Sequence, residues 1–202
     1  MTSNFWNDRY SENKTVYGEN PNEFFKEQLL KLKPGRLLLP AEGEGRNAVF
    51  AAKHGWQVDA FDYSEAAKMK ALALAAENKL MIYYSIQDIS DLTLPVSAYQ
   101  AIALIYVHLE VSVRKRFHTQ CVQALKNDGH LIVEAFSKAQ IKNTSGGPKD
   151  DTLLYDVEDL VDDFKELKIS VSSPENIRLN EGPFHQGEAA VIRIFATKPP
   201  LL

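Results

Sequence analysis

Apolar positions along this chain come in short uninterrupted runs, separated by stretches in which they recur three or four residues apart. The runs are Leu37 to Leu39, Val58 to Phe61, Leu80 to Ser85, Tyr99 to Tyr106 and Leu131 to Phe136. A strand covered on both faces needs no polar side, so such runs predict buried strands of a parallel sheet. The intervening stretches predict helices. Asn20-Pro21 is a start signal, with Asn as cap and Pro in the first helical position, and Phe24, Phe25, Gln28, Leu29 and Leu32 follow at helical spacing before Pro34-Gly35 stops the run. Arg46 to Lys53 and residues 65–78, the latter capped by Ser64, predict two more helices. Another spans about 112–126, with Val113, Phe117, Cys121 and Leu125 on one face. Asp156 caps a last helix carrying Val157, Leu160, Val161 and Phe164.

Two strand-like runs close the chain, Leu167 to Ser172 and Ala189 to Thr197, and the link around Glu181-Gly182-Pro183 has no helical pattern. Strands joined without a crossover helix lie antiparallel. The fold class expected is therefore α/β: a doubly wound, seven-stranded, mostly parallel sheet with a C-terminal antiparallel hairpin, built as a single domain over residues 1–202. Residues 138–155 form a polar loop with Ser145-Gly146-Gly147-Pro148, whose length suits a mobile lid or substrate loop. Residues 1–33 hold an aromatic segment (Phe5, Trp6, Tyr10, Tyr17) and a helix. Disordered tails rarely carry so many aromatics, so these should pack on the domain edge or a ligand mouth.

The stretch from Arg36 to Asp62 carries the clearest chemistry. Strand, glycine turn, helix, strand and acid follow one another within one βαβ unit. Glycine allows a sharp turn and lets a ligand lie on bare backbone. The unpaired N–H groups opening the next helix attract phosphate or carboxylate. An acid at the second strand's tip can accept from both hydroxyls of a ribose. Gly43, Gly45 and Ala48 satisfy a G-x-G-x-x-A spacing, with Asp62 near the expected distance. A turn of this kind fits an adenosine-bearing ligand, and it also fits a plain connection between two elements.

Composition narrows the classes. The 23 basic and 27 acidic side chains give a net charge of -4 with no basic block, so no nucleic-acid partner is expected. The start, MTSNFWNDRY, is too polar for a secretory signal, and no apolar stretch nears the roughly 20 residues of a membrane helix. The single cysteine, Cys121, favours a reducing compartment. A cytoplasmic domain without membrane partner is expected; the oligomeric state is not legible. No Cys/His cluster has metal-ligand spacing, so no metal is predicted.

Taken together, WNDRYSENKTVYGENPNEFF, AEGEGRNAVFAA, FDYS, QDISDL, IYVHLE, GHLIVEAFS, TSGGPKDDTLLY and EGPFHQGEAAVIRIFA resemble the class I S-adenosylmethionine-dependent methyltransferases, in particular the tellurite-resistance and thiopurine-methyltransferase-like group. The resemblance covers nearly the whole chain. It implies a Rossmann-like methyltransferase fold, S-adenosyl-L-methionine as cofactor and a small-molecule acceptor. It implies that the turn with Ala41, Glu42, Gly43 and Gly45 wraps the methionine part, and that Asp62 holds the ribose hydroxyls with Tyr63 beside the adenine and Ser64 in the same set. Asp88 would accept from the adenine amino group, Ile89 would donate its N–H to the ring, and Val107-His108 would border the sulfonium. Where that group's first motif often opens with Asp and its first Gly, this chain has Leu39 and Ala41, and Glu42 stands as the replacement acid.

Methyl transfer from a sulfonium is an in-line displacement, in which alignment alone can supply about 7–11 kcal/mol. A soft nucleophile (a thiol, selenium or tellurium species) needs little more, whereas an alcohol or amine needs a general base. His108 is the candidate base; the alternative is a hydrogen-bonded histidine holding its loop. His185, Tyr10, Tyr17 and Tyr155 are candidates for the acceptor side, and Arg46 either steers an anionic acceptor or pairs with Glu44. Glu134, inside a strand, calls for a side chain that reaches the crevice. His54, His118 and His130 read as structural or exposed, and Cys121 as inert core. Two other functions fit less of the sequence: an NAD(P)-dependent oxidoreductase, for which no Tyr-x-x-x-Lys pair is found, and a non-catalytic S-adenosylmethionine-binding module.

Overall fold

The computed structural model describes residues 3–12 and 15–200, with Ser3, Asn4, Phe5 and Glu12 as backbone alone. Two helices, α1 (Ser3–Glu12) and α2 (Glu23–Leu29), precede β1 (Arg36–Pro40), α3 (Arg46–Lys53), β2 (Gln57–Asp62), α4 (Glu65–Glu77) and β3 (Tyr83–Ile86). Then come β4 (Tyr99–Ile105), α5 (Val111–Ala124), β5 (Leu125–Phe136), α6 (Val157–Asp163), β6 (Lys168–Asn180) and β7 (Gln186–Thr197). All seven strands form one sheet in the order β3-β2-β1-β4-β5-β7-β6. The first five run parallel, and β7 lies antiparallel between β5 and β6. Strand order reverses between β1 and β4, which opens a crevice at their C-terminal ends.

Four of the apolar runs are buried on both faces; the run from Leu80 to Ser85 is not, because β3 is an edge strand that leaves Tyr83 67% exposed. Leu37 and Leu39 point into one core with Ala48, Ala51, Val58 and Ala60, while Leu38 points into the other with Phe61, Ile102, Phe117 and Leu131. Small residues let helices approach: Ala67, Ala71 and Ala75 are the buried side of α4. On the far face Arg114 and His118 of α5 both reach Asp163 of α6, at 2.8 Å each. Burial works against the Asp163 anion, yet these two partners hold its carboxyl below the ordinary value.

Several boundaries differ from expectation. The cap of α2 is Asn22, two residues beyond Asn20: its side chain accepts from the Phe25 N–H at 2.9 Å and its own N–H donates to Asn47 Oδ1. Pro21 therefore lies outside the helix. The third strand starts at Tyr83 rather than Leu80, because Leu80 still donates back to Ala75 O at the end of α4. Asn127-Asp128-Gly129, residue types that suit a turn, form an irregularity inside β5, whose register against β4 shifts between Tyr99 and Ala101. The hairpin strands are longer than their apolar runs because β6 is an edge, alternating half-buried and exposed residues.

The 138–155 loop, expected to be a mobile lid or substrate loop, is tied at its middle to the last strand. Buried Gln140 uses all its polar atoms: Nε2 donates to Ser145 Oγ and Gly146 O, both at 3.0 Å, while Oε1 accepts from the Ala190 N–H and from Asn143 Nδ2. Ser145 in turn donates to Glu188 O at 2.6 Å.

Candidate active site

The turn after β1 reverses the chain through residues 41–45. Ala41, Gly43 and Gly45 all take left-handed backbone, with φ of 49°, 65° and 85°. Gly45 has to be glycine on a second count, since a Cβ there would lie 2.6 Å from the Ala71 Cβ of α4. Ala41 holds the same backbone with a side chain, a strained conformation of the sort found at functional turns.

Glu42 does not face outward. Its carboxylate accepts from the Ala48 N–H at 2.8 Å and from Asn47 Nδ2 at 3.3 Å, so the chain's own acid occupies the open N-terminus of α3. Burial pushes its pKa up to about 7, against these hydrogen bonds. Asp62, ending β2, turns back onto the same bend: one oxygen accepts from the Gly43 N–H at 3.2 Å and the other from the Ser64 N–H at 2.9 Å. Burial raises it to about 6. Ser64 caps α4 through the Ala67 N–H. Tyr63 is half-buried beside Asp62 and near Asp88, its phenol raised by burial and then by those two charges. Asp88 is exposed and accepts from the Ser90 N–H at 2.8 Å, whereas Ile89 is buried in the core.

Two tyrosines complete the turn: Tyr84, which no pattern singled out, and Tyr10, expected on the acceptor side. Tyr84 of β3 reaches under the turn and donates to Gly43 O at 2.7 Å. Tyr10 of α1 covers it from above: a Cβ on Gly43 would lie 2.7 Å from the Tyr10 hydroxyl. Asn7, one turn earlier, accepts from Ser64 Oγ at 2.7 Å.

The residues expected on the acceptor side form a row of rings. Trp6 stacks on Tyr10 at 5.6 Å, Tyr10 meets Tyr17 edge-on at 6.5 Å, and Tyr17 lies 4.4 Å from His185. His185 then meets Tyr106 at 4.8 Å and Phe136 at 5.5 Å. Tyr106, at the tip of β4, is itself left-handed with φ of 56°. His185 Nδ1 lies 3.3 Å from Glu181, and burial holds the ring below its ordinary pKa, so it is neutral at pH 7. Arg46 reaches Glu181 at 2.8 Å as well as the carbonyls of Tyr17 and Asn20. That replaces the expected pairing with Glu44, which instead takes Lys70 and the Val16 N–H. Glu134 reaches this region as its position in the strand required. It is fully buried and accepts from Tyr106 Oη at 2.6 Å, Asn22 Nδ2 at 2.6 Å and Arg193 Nε at 2.7 Å.

His108 is fully engaged. Its Nδ1 donates to Leu153 O at 2.8 Å and its Nε2 accepts from the Phe136 N–H at 3.2 Å, which fixes the neutral tautomer. Burial lowers its pKa to about 4. No lone pair remains for a substrate proton, so the geometry is that of the loop-holding alternative. Tyr155 works alongside it: buried, it donates to Val107 O and accepts from the Leu109 N–H at 2.6 Å, so it secures the strand tip rather than lining a pocket. His54 is exposed on α3, His130 shares a half-buried contact with Thr197, and burial raises the thiol of core residue Cys121. Among the described residues no group of His, Cys, Asp and Glu has the arrangement to hold a metal ion, and no helix is long and apolar enough to cross a membrane.

A seven-stranded sheet of this order, with an acid and a bare turn meeting at its switch point, has the class I methyltransferase fold, the class whose methyl donor is S-adenosyl-L-methionine. Residues 40–129, somewhat under half of the chain, match the methyltransferase domain family Methyltransf_25. Among solved structures, one from echinomycin biosynthesis, in which a disulfide bond is converted into a thioacetal group, superposes with a TM-score of 0.81 at 15% identity, covering 98% of this chain and 92% of that one. TehB from Haemophilus influenzae gives 0.72 at 14% identity, over 97% of this chain and 66% of its own. A SAM-dependent methyltransferase from Methanosarcina mazei gives 0.71 at 13% identity, over 90% and 100%. At such identities the likeness is one of fold. No curated protein sequence matches the chain.

Proposed function

We propose that the protein transfers the methyl group of S-adenosyl-L-methionine to a small-molecule acceptor with a soft nucleophilic atom, such as a thiol, selenium or tellurium species. The observation that carries the cofactor half is the meeting of Asp62 with the Gly43 N–H. That contact supports reading Asp62 as the acid for the ribose hydroxyls, since it lies beside a side-chain-free bend in the switch crevice. The Asp88 carboxylate, exposed beyond β3, is the acceptor for the adenine amino group.

The acceptor half is supported by the ring-walled region around Tyr17, Tyr106 and His185, and by the occupied nitrogens of His108. A thiolate or metalloid oxyanion carries its own electron pair to the methyl carbon. The sulfonium leaves as a neutral thioether, and no proton need be removed in that step. The echinomycin structure, with its sulfur chemistry, points the same way. Tyr155 and His108 keep Val107 in place beside the sulfonium without touching the reacting atoms.

Titration calorimetry with S-adenosylmethionine tests the cofactor, and Asp62→Ala is expected to weaken its binding by about 1.5–3 kcal/mol, the scale for hydrogen bonds to a charged group. Unchanged affinity in a folded variant would refute the ribose role; tight NAD(P) binding with no response to S-adenosylmethionine would refute the cofactor. Turnover with a panel of thiols and metalloid oxyanions then identifies the acceptor class.

A further inference from the structure

We propose that the free edge of β3, with the outer side of α4 beside it, binds a second copy of this chain, so that two sheets join across a two-fold axis. The inference goes beyond the cofactor reading and does not depend on it. It starts from a contrast between the two edges of one sheet. An edge strand offers unpaired N–H and C=O groups, and chains that stay apart guard such an edge with charge and proline. The β6 edge is guarded in this way: its exposed residues include Lys168, Pro174 and Arg178, and no large apolar side chain among them is exposed. The β3 edge is bare. Tyr83 and Ile86 of the strand are exposed, and Met81 just before it is 93% exposed. No charged residue lies between Lys79 and Asp88.

The helix extends this surface. A helix resting on a sheet ordinarily keeps a polar side toward water. α4 buries only Ala67, Ala71 and Ala75, yet the middle of its outer side carries Met69, Ala73 and Ala76, with Met69 64% exposed. The charge pattern then selects the occupant. From residue 79 to residue 91 the charged side chains are Lys79, ahead of β3, and Asp88 and Asp91, beyond it, and all three are exposed. Two copies laid antiparallel about an axis at Tyr84 set Lys79 of each against the acids of the other. A parallel arrangement would set like charges side by side. The antiparallel pairing is isologous, so it closes at two chains. It also brings the two Tyr83 rings into the diagonal relation that aromatic side chains can span.

Sedimentation velocity on the full chain over a concentration series tests the pairing. The unmodified protein should sediment as a dimer at micromolar concentrations and as a monomer on dilution. Tyr83→Lys places two cations near each other across the axis and should weaken the dimer about tenfold or more. Lys79→Glu sets acid against acid and should weaken it as well, whereas adding Asp91→Lys to Lys79→Glu should restore it. Lys79→Glu keeps the test open should Tyr83→Lys fail to fold. In concentrated protein the amides of residues 82–87 should exchange more slowly than in dilute protein, with those of β6 unaffected. A monomer at every concentration, a species larger than two chains, or a dimer indifferent to either single variant overturns the proposal. No ligand enters the measurement, so its failure leaves the cofactor reading where it stands.

Discussion

Asp62 and Glu42 are both acids of the first βαβ unit, and they do different things. Asp62 follows an apolar run and a glycine turn, so its place at a strand tip could be read from order alone. Glu42 lies in the turn, where side-chain direction depends on the left-handed backbone of Ala41 and Gly43, and only the fold reveals that it caps α3. Tyr84 and Tyr10 were illegible as partners of Gly43 for a similar reason: each arrives from a distant segment by a packing angle that no local pattern encodes. Glu42 also makes a pH-dependent prediction. Its pKa, raised by burial to about 7 in the folded chain, stays near 4.5 when unfolded. The folded state thus holds the proton longer, and stability contributed by the neutral form is lost as pH rises from 4.5 through 7. Glu42→Gln keeps an acceptor for Ala48 and removes the buried charge. At pH 8 it should stabilise the ligand-free protein by about 2 kcal/mol in urea unfolding, with little difference at pH 4. Equal stabilisation at both pH values would place the cause elsewhere.

The elements of the parallel sheet were legible because burial on two faces leaves an unmistakable apolar run, and because Gly55 and Asp62 bracket β2. The loop of residues 138–155 was not. Its polar composition reads as solvated, yet buried Gln140 spends its polarity inside the protein, tying residues 143–146 to β7. One residue with no periodic neighbours makes the difference between a flap and a wall. Gln140→Ala would leave the Ala190 N–H without its Oε1 acceptor in a buried place, at a cost of about 1–3 kcal/mol. Urea unfolding should show a loss within that range. Amide exchange should quicken across residues 138–147 while β1 and β4 keep their protection; an unaltered exchange pattern would show that something other than Gln140 fastens the loop.

Across the whole molecule, distant parts of the chain converge on one cluster. Arg46 gathers Tyr17, Asn20 and Glu181, and Glu134 gathers Asn22, Tyr106 and Arg193, so the N-terminal segment, the first turn and the last hairpin share buried charge. Beside this cluster two glycines cross, Gly18 and Gly182. A Cβ on Gly182, whose φ is 76°, would lie 2.5 Å from Gly18 N and 2.8 Å from Val16 O. Both obstacles are backbone, which cannot swing aside as a side chain would. Gly182→Ala should therefore lift residues 15–20 from the hairpin, costing about 1–3 kcal/mol, the usual range for a left-handed site forced to carry a side chain against backbone. Amides of 15–20 should exchange faster while the sheet is unaffected, and retained protection there would show the crossing to be dispensable.

That crossing of Gly18 over Gly182 has a consequence for how the molecule is made. A ribosome adds the hairpin roughly 160 residues after the segment it supports, some ten to thirty seconds later at common elongation rates. Through that interval the nascent βαβ unit can mature with its crevice uncovered, and the seat of the aromatic segment is completed only when β6 and β7 have been extruded and paired.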